Sequence, residues 1–126
     1  MIESSILTLP LDTQSLWEEL DFTLEWLKSR KLHRVEILYG YPWGIYYYPE
    51  PVWTYEEVDI PAVVDHIKTV EARGLGLFGD CDFEVKFDSS EMLFCHHSDV
   101  HLTSDDAKVI HFFRDRWKKA GVLNSA

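Results

Sequence analysis

The sequence predicts a single α+β domain over residues 1–126: a mainly antiparallel sheet of four to five strands with three helices, in the order αββαββα. Three observations predict it. Apolar residues recur at helical spacing in three stretches, and they alternate with polar ones, strand-like, in at least two others. The chain has 126 residues, 46 % of them hydrophobic, which is enough for one core. No repeat, low-complexity tract or long linker divides it.

Asp12, Thr13 and Ser15 are candidate N-caps for the first helix, and Ser15-x-x-Glu18 has the capping-box pattern. Leu16, Trp17, Leu20, Leu24 and Leu27 share one stripe. Phe22 and Trp26 stand a turn apart on the other face, among Glu18 and Glu25. Either another element covers that face or it carries an exposed aromatic pair.

After Lys31-Leu32 the period becomes two, and Val35, Ile37 and Tyr39 mark a strand. Gly40-Tyr41-Pro42-Trp43-Gly44 reads as a turn and Ile45–Tyr48 as a second strand, which Pro49 and Pro51 keep out of the sheet centre. Val52–Val58 continues as an edge strand or an irregular segment.

Asp59 and Pro61 open a second helix with the stripe Ile60, Val63, Val64, Ile67 and Val70, stopped by Gly74. The glycines from 74 to 79 follow a helix and lack a Gly-Lys-Ser/Thr ending, so they are not a phosphate loop. Phe83, Val85 and Phe87 form a third strand, and Met92–His97 returns as a fourth. Thr103-x-x-Asp106 caps the last helix, whose stripe is Val109, Ile110, Phe113, Trp117 and Ala120, with Lys118 and Lys119 at its negative end.

A turn at Ser89-Ser90 pairs Phe87 with Met92 and puts Phe83, Val85, Phe87, Met92, Phe94 and His96 on one face. His96 then reads as a half-buried core histidine. The other face carries Asp80, Asp82, Glu84 and Lys86 beside Leu93, Cys95, His97 and Asp99, with Asp82 opposite His97, Asp80 opposite Asp99, and His101 continuing the row. Asp80, Asp82, His97, Asp99 and His101 are thus candidate metal ligands, and a carboxylate beside His97 suits general-base work. A hairpin with one solvated face alternates in the same way, and no Cys-x-x-Cys or His-Glu-x-x-His spacing marks a zinc site. Cys81 is expected inward and Cys95 outward, which does not suit a disulfide between them. No Gly-x-Ser-x-Gly elbow and no cofactor motif occurs.

Eight aromatics fall between Tyr39 and Tyr55. Neighbouring aromatics on a strand point to opposite faces, so alternation alone cannot bury them all. Tyr41, Trp43, Tyr46, Tyr48, Trp53 and Tyr55, joined by Phe22 and Trp26, make a candidate protein-binding surface. The same segment can line a pocket for a sugar or flat ligand, or be covered by helices on both sides. An exposed edge at Ile45–Tyr48 would let two copies pair.

With 22 acidic and 12 basic residues the net charge is −10, which opposes nucleic acid and anionic membranes and favours a basic partner. No apolar run is long enough for a membrane helix, the N-terminus has no signal pattern, and two cysteines make no disulfide framework. A cytoplasmic location is expected.

In size, charge and element order the chain resembles the small acidic stand-alone immunity proteins of bacterial toxin–immunity systems. The final segment carries the likeness: Gly79-Asp80-Cys81-Asp82-Phe83-Glu84-Val85, then Phe94-Cys95-His96-His97-Ser98-Asp99-Val100-His101-Leu102, then the capped helix. The likeness covers the C-terminal half and carries over no binding residues. It implies a toxin inhibitor that occupies a basic active-site face. The expected function is therefore non-enzymatic protein binding, with a metal-binding domain or metal-dependent hydrolase, and an aromatic-lined ligand module, as alternatives.

Overall fold

Asp12 sits in extended backbone and accepts a 2.7 Å hydrogen bond from the Ser15 N–H, which fixes the start of the first helix, α1 (Thr13–Ser29). Asp12, rather than Ser15, is the cap. Before it runs a strand that sequence periodicity did not reveal, β1 (Ser4–Leu7). The computed structural model describes residues 4–48 and 53–124. Residues 1–3, on which the expectation about a signal pattern partly rests, and the interruption expected at Pro49 and Pro51 lie outside the described residues.

The remaining elements are β2 (Arg34–Tyr39), α2 (Trp43–Tyr47), β3 (Glu56–Asp59), a 3-10 turn (Ile60–Ala62), α3 (Val63–Ala72), β4 (Phe83–Phe87), β5 (Ser90–Phe94), β6 (Val100–Ser104) and α4 (Ala107–Lys119). The class is α+β as expected, but among the described residues there are six strands and four α-helices. They form one antiparallel sheet in the order β1-β6-β5-β4-β2-β3. The expected order αββαββα is therefore corrected to βαβαβαβββα.

One face of the sheet holds the core: Ile37, Phe83, Val85, Met92, Phe94 and Leu102. The long helices cover this face. Thr23 of α1 reaches the Met92 sulfur at 3.5 Å, and His66 of α3 shares a 3.0 Å hydrogen bond with the Tyr39 hydroxyl. Leu20 and Leu27 of α1 and Trp117 of α4 are fully buried, and complete burial of such a leucine contributes roughly 2 kcal/mol. Phe22 and Trp26 meet α4: Trp26 stacks on Phe112 at 5.3 Å and meets Phe113 edge-on at 5.0 Å, and Phe22 lies beneath the Arg116 guanidinium. This resolves the second face of α1 in favour of coverage.

The hairpin β4–β5 keeps the expected faces but slips by two residues. Phe87 pairs with Ser90 and Val85 with Met92, so the turn is Asp88-Ser89. A slip of two leaves every side chain on its face. Asp88 takes the left-handed conformation that closes the turn (φ 51°). Strand β5 ends at Phe94, so the chain is not extended to His97; it turns and returns as β6. Thr103 is in that strand, and Asp106 alone caps α4, accepting from Lys108 N–H at 2.9 Å.

The other face of the sheet bears Arg34, Glu36, Leu38, Glu84, Lys86 and Glu91, in partly or fully exposed positions. It also carries Glu57 and Asp59 of β3, whereas Glu56 pairs with Ile37 and faces the core side, and the long helices lie away from it.

Candidate functional site

Two groups of side chains meet at the end of the sheet where β2, β4, β5 and β6 turn. The first is aromatic. Pro42 stands before α2, and Trp43 to Tyr47 coil rather than extend, with the Gly44 N–H bonded to the Gly40 carbonyl at 2.6 Å. The expected strand at Ile45–Tyr48 is thus corrected to a helix. Helical spacing explains what the aromatics do: Trp43 and Tyr47 turn inward onto Tyr39, while Ile45 and Tyr46 turn out, about two-thirds exposed (63 % and 64 %). Tyr48, just past the helix in extended backbone, is buried with its hydroxyl accepting from the Tyr39 N–H. Trp43 stacks on Tyr39 at 4.4 Å, and its indole lies so close to Gly76 that a methyl group there would overlap it.

The candidate binding residues therefore divide. Trp43 and Tyr48 are core. Phe22 and Trp26 pack instead against Phe112 and Phe113 of α4, apart from that patch. Tyr41, Tyr46, Trp53 and Tyr55 are exposed, and Ile45 joins them. Trp53 lies against Gly44, where any side chain would collide with its ring, so the indole is seated on α2 although its outer face is open. Tyr55 donates a 2.6 Å hydrogen bond to Glu84 and lies 5.2 Å from the Lys86 ammonium. Burial, then the bond to Glu84, pushes the Tyr55 phenol above its ordinary range. Burial likewise raises the Glu84 carboxyl; the Tyr55 bond opposes this and the Glu91 charge adds to it.

The second group is polar. Asp82, Cys95 and Asp99 stand at the ends of neighbouring strands, because Phe83 pairs with Phe94 and Phe94 with Val100. Cys95 N–H donates to the Asp99 carbonyl at 2.8 Å and Ser98 N–H to the Cys95 carbonyl at 2.9 Å, closing a tight loop over His96-His97-Ser98 with Ser98 left-handed. Asp82 accepts the His96 backbone N–H at 2.7 Å and lies 2.7 Å from its ring Nδ1. His96 has left the sheet, so its expected place on the core face is corrected, and it, not His97, is the partner of Asp82. His96 also meets the Tyr41 ring edge-on at 5.7 Å, which links the polar group to the aromatic one.

His101 reaches the group from β6, with Nε2 3.1 Å from Asp99 Oδ2. Asp80 does not join: it is exposed in a turn, its N–H bonded to Leu77, and is not opposite Asp99. Cys95, expected outward and solvated, is buried (8 % exposed). Cys95, Asp99 and His101 offer ligand atoms all within 4.8 Å of one another, and so do Cys95, His96 and His97. Alternation puts Asp99 and His101 on one face, as found, but misplaces Cys95 and His96, because the chain makes a loop at 95–98 instead of extending. Its signal was His97-Ser98-Asp99, polar turn residues between Phe94 and Val100. Both cysteines are free and buried, and burial raises both thiols; for Cys95, Asp82 and Asp99 add to the effect.

Among the described residues no helix is long and apolar enough to cross a membrane. The chain matches no family model, no curated protein and no solved structure.

Proposed function

We propose that this chain is a non-enzymatic protein-binding domain, an immunity-type inhibitor that covers a basic face of a toxin. The observation that carries the reading is the exposure of Tyr41, Ile45, Tyr46, Trp53 and Tyr55 within fifteen residues. Aromatic side chains supply large contact area with few rotors to freeze, and clustered exposure of this kind marks interaction surfaces. The seating of Trp53 on Gly44 reduces what must be ordered on binding.

Charge selects the partner. On the open sheet face beside Tyr55, Glu36, Glu57, Asp59, Glu84 and Glu91 outnumber Arg34 and Lys86, and Arg34 is already paired with Glu57 and Asp59. Together with the net charge of −10, this face would speed encounter with a cationic surface and repel anionic ones. A covalent catalyst is disfavoured by the state of Cys95. Its sulfur is 3.7 Å from His96 Nδ1, yet its surroundings raise the thiol rather than activate it.

The test is native mass spectrometry of the untagged protein, gently purified from the cells that make it. The expected result is a one-to-one complex with a basic protein whose toxicity the chain suppresses on co-expression. The complex should weaken with salt and be lost in the double variant Tyr46→Ala, Trp53→Ala at unchanged melting temperature. A complex indifferent to that variant, an acidic partner, or no complex would overturn the reading. Trp43 is unsuited to this test, because its truncation would damage the core.

A further inference from the structure

We propose that Cys95, Asp99 and His101 form a zinc site, with the Cys95 sulfur, an Asp99 carboxylate oxygen and His101 Nε2 as its ligands. Their ligand atoms already lie within 4.8 Å of one another. Around a tetrahedral zinc ion, bonds of about 2.0 Å to nitrogen or oxygen and about 2.3 Å to sulfur put donors roughly 3.3–3.6 Å apart. Small side-chain rotations therefore close the site.

Two of the three ligands are unsatisfied. Asp99 Oδ1 and His101 Nε2 are buried and have no hydrogen-bond partner. Nε2 is 3.1 Å from Asp99 Oδ2, but out of line for a hydrogen bond. Buried polar atoms without partners are rare because each costs about 1–3 kcal/mol, and a cation placed between these two would satisfy both. Thiolate, imidazole and carboxylate are together a donor set for zinc and its first-row neighbours.

The backbone holds the ligands in place. Cys95 and Asp99 face each other across the hydrogen-bonded end of the β5–β6 hairpin, and Asp99 and His101 are two residues apart on one strand face. The alternative trio, Cys95, His96 and His97, is less suited because His96 Nδ1 is engaged by Asp82. That bond, with the one from the His96 backbone N–H to the same carboxylate, instead anchors the loop behind the ligands. On metal binding the Cys95 thiol proton passes to solvent, so uptake releases acid.

The test is titration of the chelator-stripped full chain with cobalt(II), which reports thiolate ligation through a sulfur-to-cobalt charge-transfer band. One equivalent should develop the band, and zinc should displace it. Cys95→Ser should abolish it, Asp99→Asn and His101→Gln should weaken cobalt binding at least tenfold, and Cys81→Ser should leave it intact. Circular dichroism identifies any variant that fails to fold, and zinc should raise the melting temperature of the unaltered chain. A band that survives Cys95→Ser in a folded variant overturns the site. So does an unaltered chain whose absorbance and melting temperature are both unmoved by a hundredfold excess of metal.

Discussion

Glu19 is a charged side chain buried in the fold. It is 7 % exposed on the inner face of α1 and accepts from Arg116 Nη2 at 3.1 Å and from the Trp117 indole at 2.9 Å. Removing the guanidinium leaves a buried carboxylate with its indole donor alone. Arg116→Met should therefore lower stability by about 2–3 kcal/mol in a urea melt, although Arg116 itself is partly exposed. The helical stripe of α1 was legible, but Glu19 within it was not, because its partners stand 97 and 98 residues further along. Glu84 works in the opposite sense. Its carboxyl is raised in the fold, so its contribution is present below the unfolded value of about 4.3 and is lost as pH rises through the folded one. Glu84→Gln should flatten that decline and gain less than about 1 kcal/mol at pH 7, as read from paired melts at pH 4 and 7.

At the scale of elements, α2 shows how two periods compete. Tyr46-Tyr47-Tyr48 has high strand propensity, yet Trp43 and Tyr47 are spaced four apart for one helical face, and the Tyr39 ring is there to receive them. A five-residue helix is too short for periodicity to announce it. Gly44→Ala separates the two uses of the segment. A methyl group would improve local helix propensity by up to about 1 kcal/mol but displace the Trp53 ring. The expected outcome is a folded protein with red-shifted tryptophan emission and weakened partner binding. The β4–β5 turn makes a second prediction. Its faces were legible from the alternation of Phe83, Val85 and Phe87, whereas its register was not, because Asp88-Ser89 and Ser89-Ser90 are both polar pairs. Asp88 adopts φ 51°, so Asp88→Gly should stabilise the chain by about 1 kcal/mol in a denaturant midpoint shift.

At the scale of the molecule, the tyrosines set an alkaline limit. Burial is the largest cause raising the phenols of Tyr39, Tyr47, Tyr48 and Tyr55 in the fold, and nearby tyrosines and Glu56 or Glu84 add to it in most. Groups raised in this way contribute stability that is whole below the free phenol value of about 10 and is lost as pH rises beyond it. A spectrophotometric titration should show these phenols ionising together, at the pH where the circular dichroism collapses. Pairing of two copies at Ile45–Tyr48 has lost its basis, since that segment is helical. Of the sheet's outer strands, β1 is flanked by the C-terminal segment, with Asn124 N–H donating to the Leu7 carbonyl at 2.9 Å. The other, β3, is Glu56-Glu57-Val58-Asp59, and such an edge repels its own copy.

The pairing of β1 with β6 has a consequence in time. Ser4 meets Ser104, and Thr8 bridges to Leu123, so β1 is synthesised well before the segments it pairs with. At roughly 5–20 residues per second, synthesis leaves β1 unpaired and the apolar stripe of α1 uncovered for about 5–20 seconds. Over that interval the nascent chain is a client for whatever binds exposed leucine and tryptophan, and its yield in a cell would depend on elongation rate as well as on equilibrium stability.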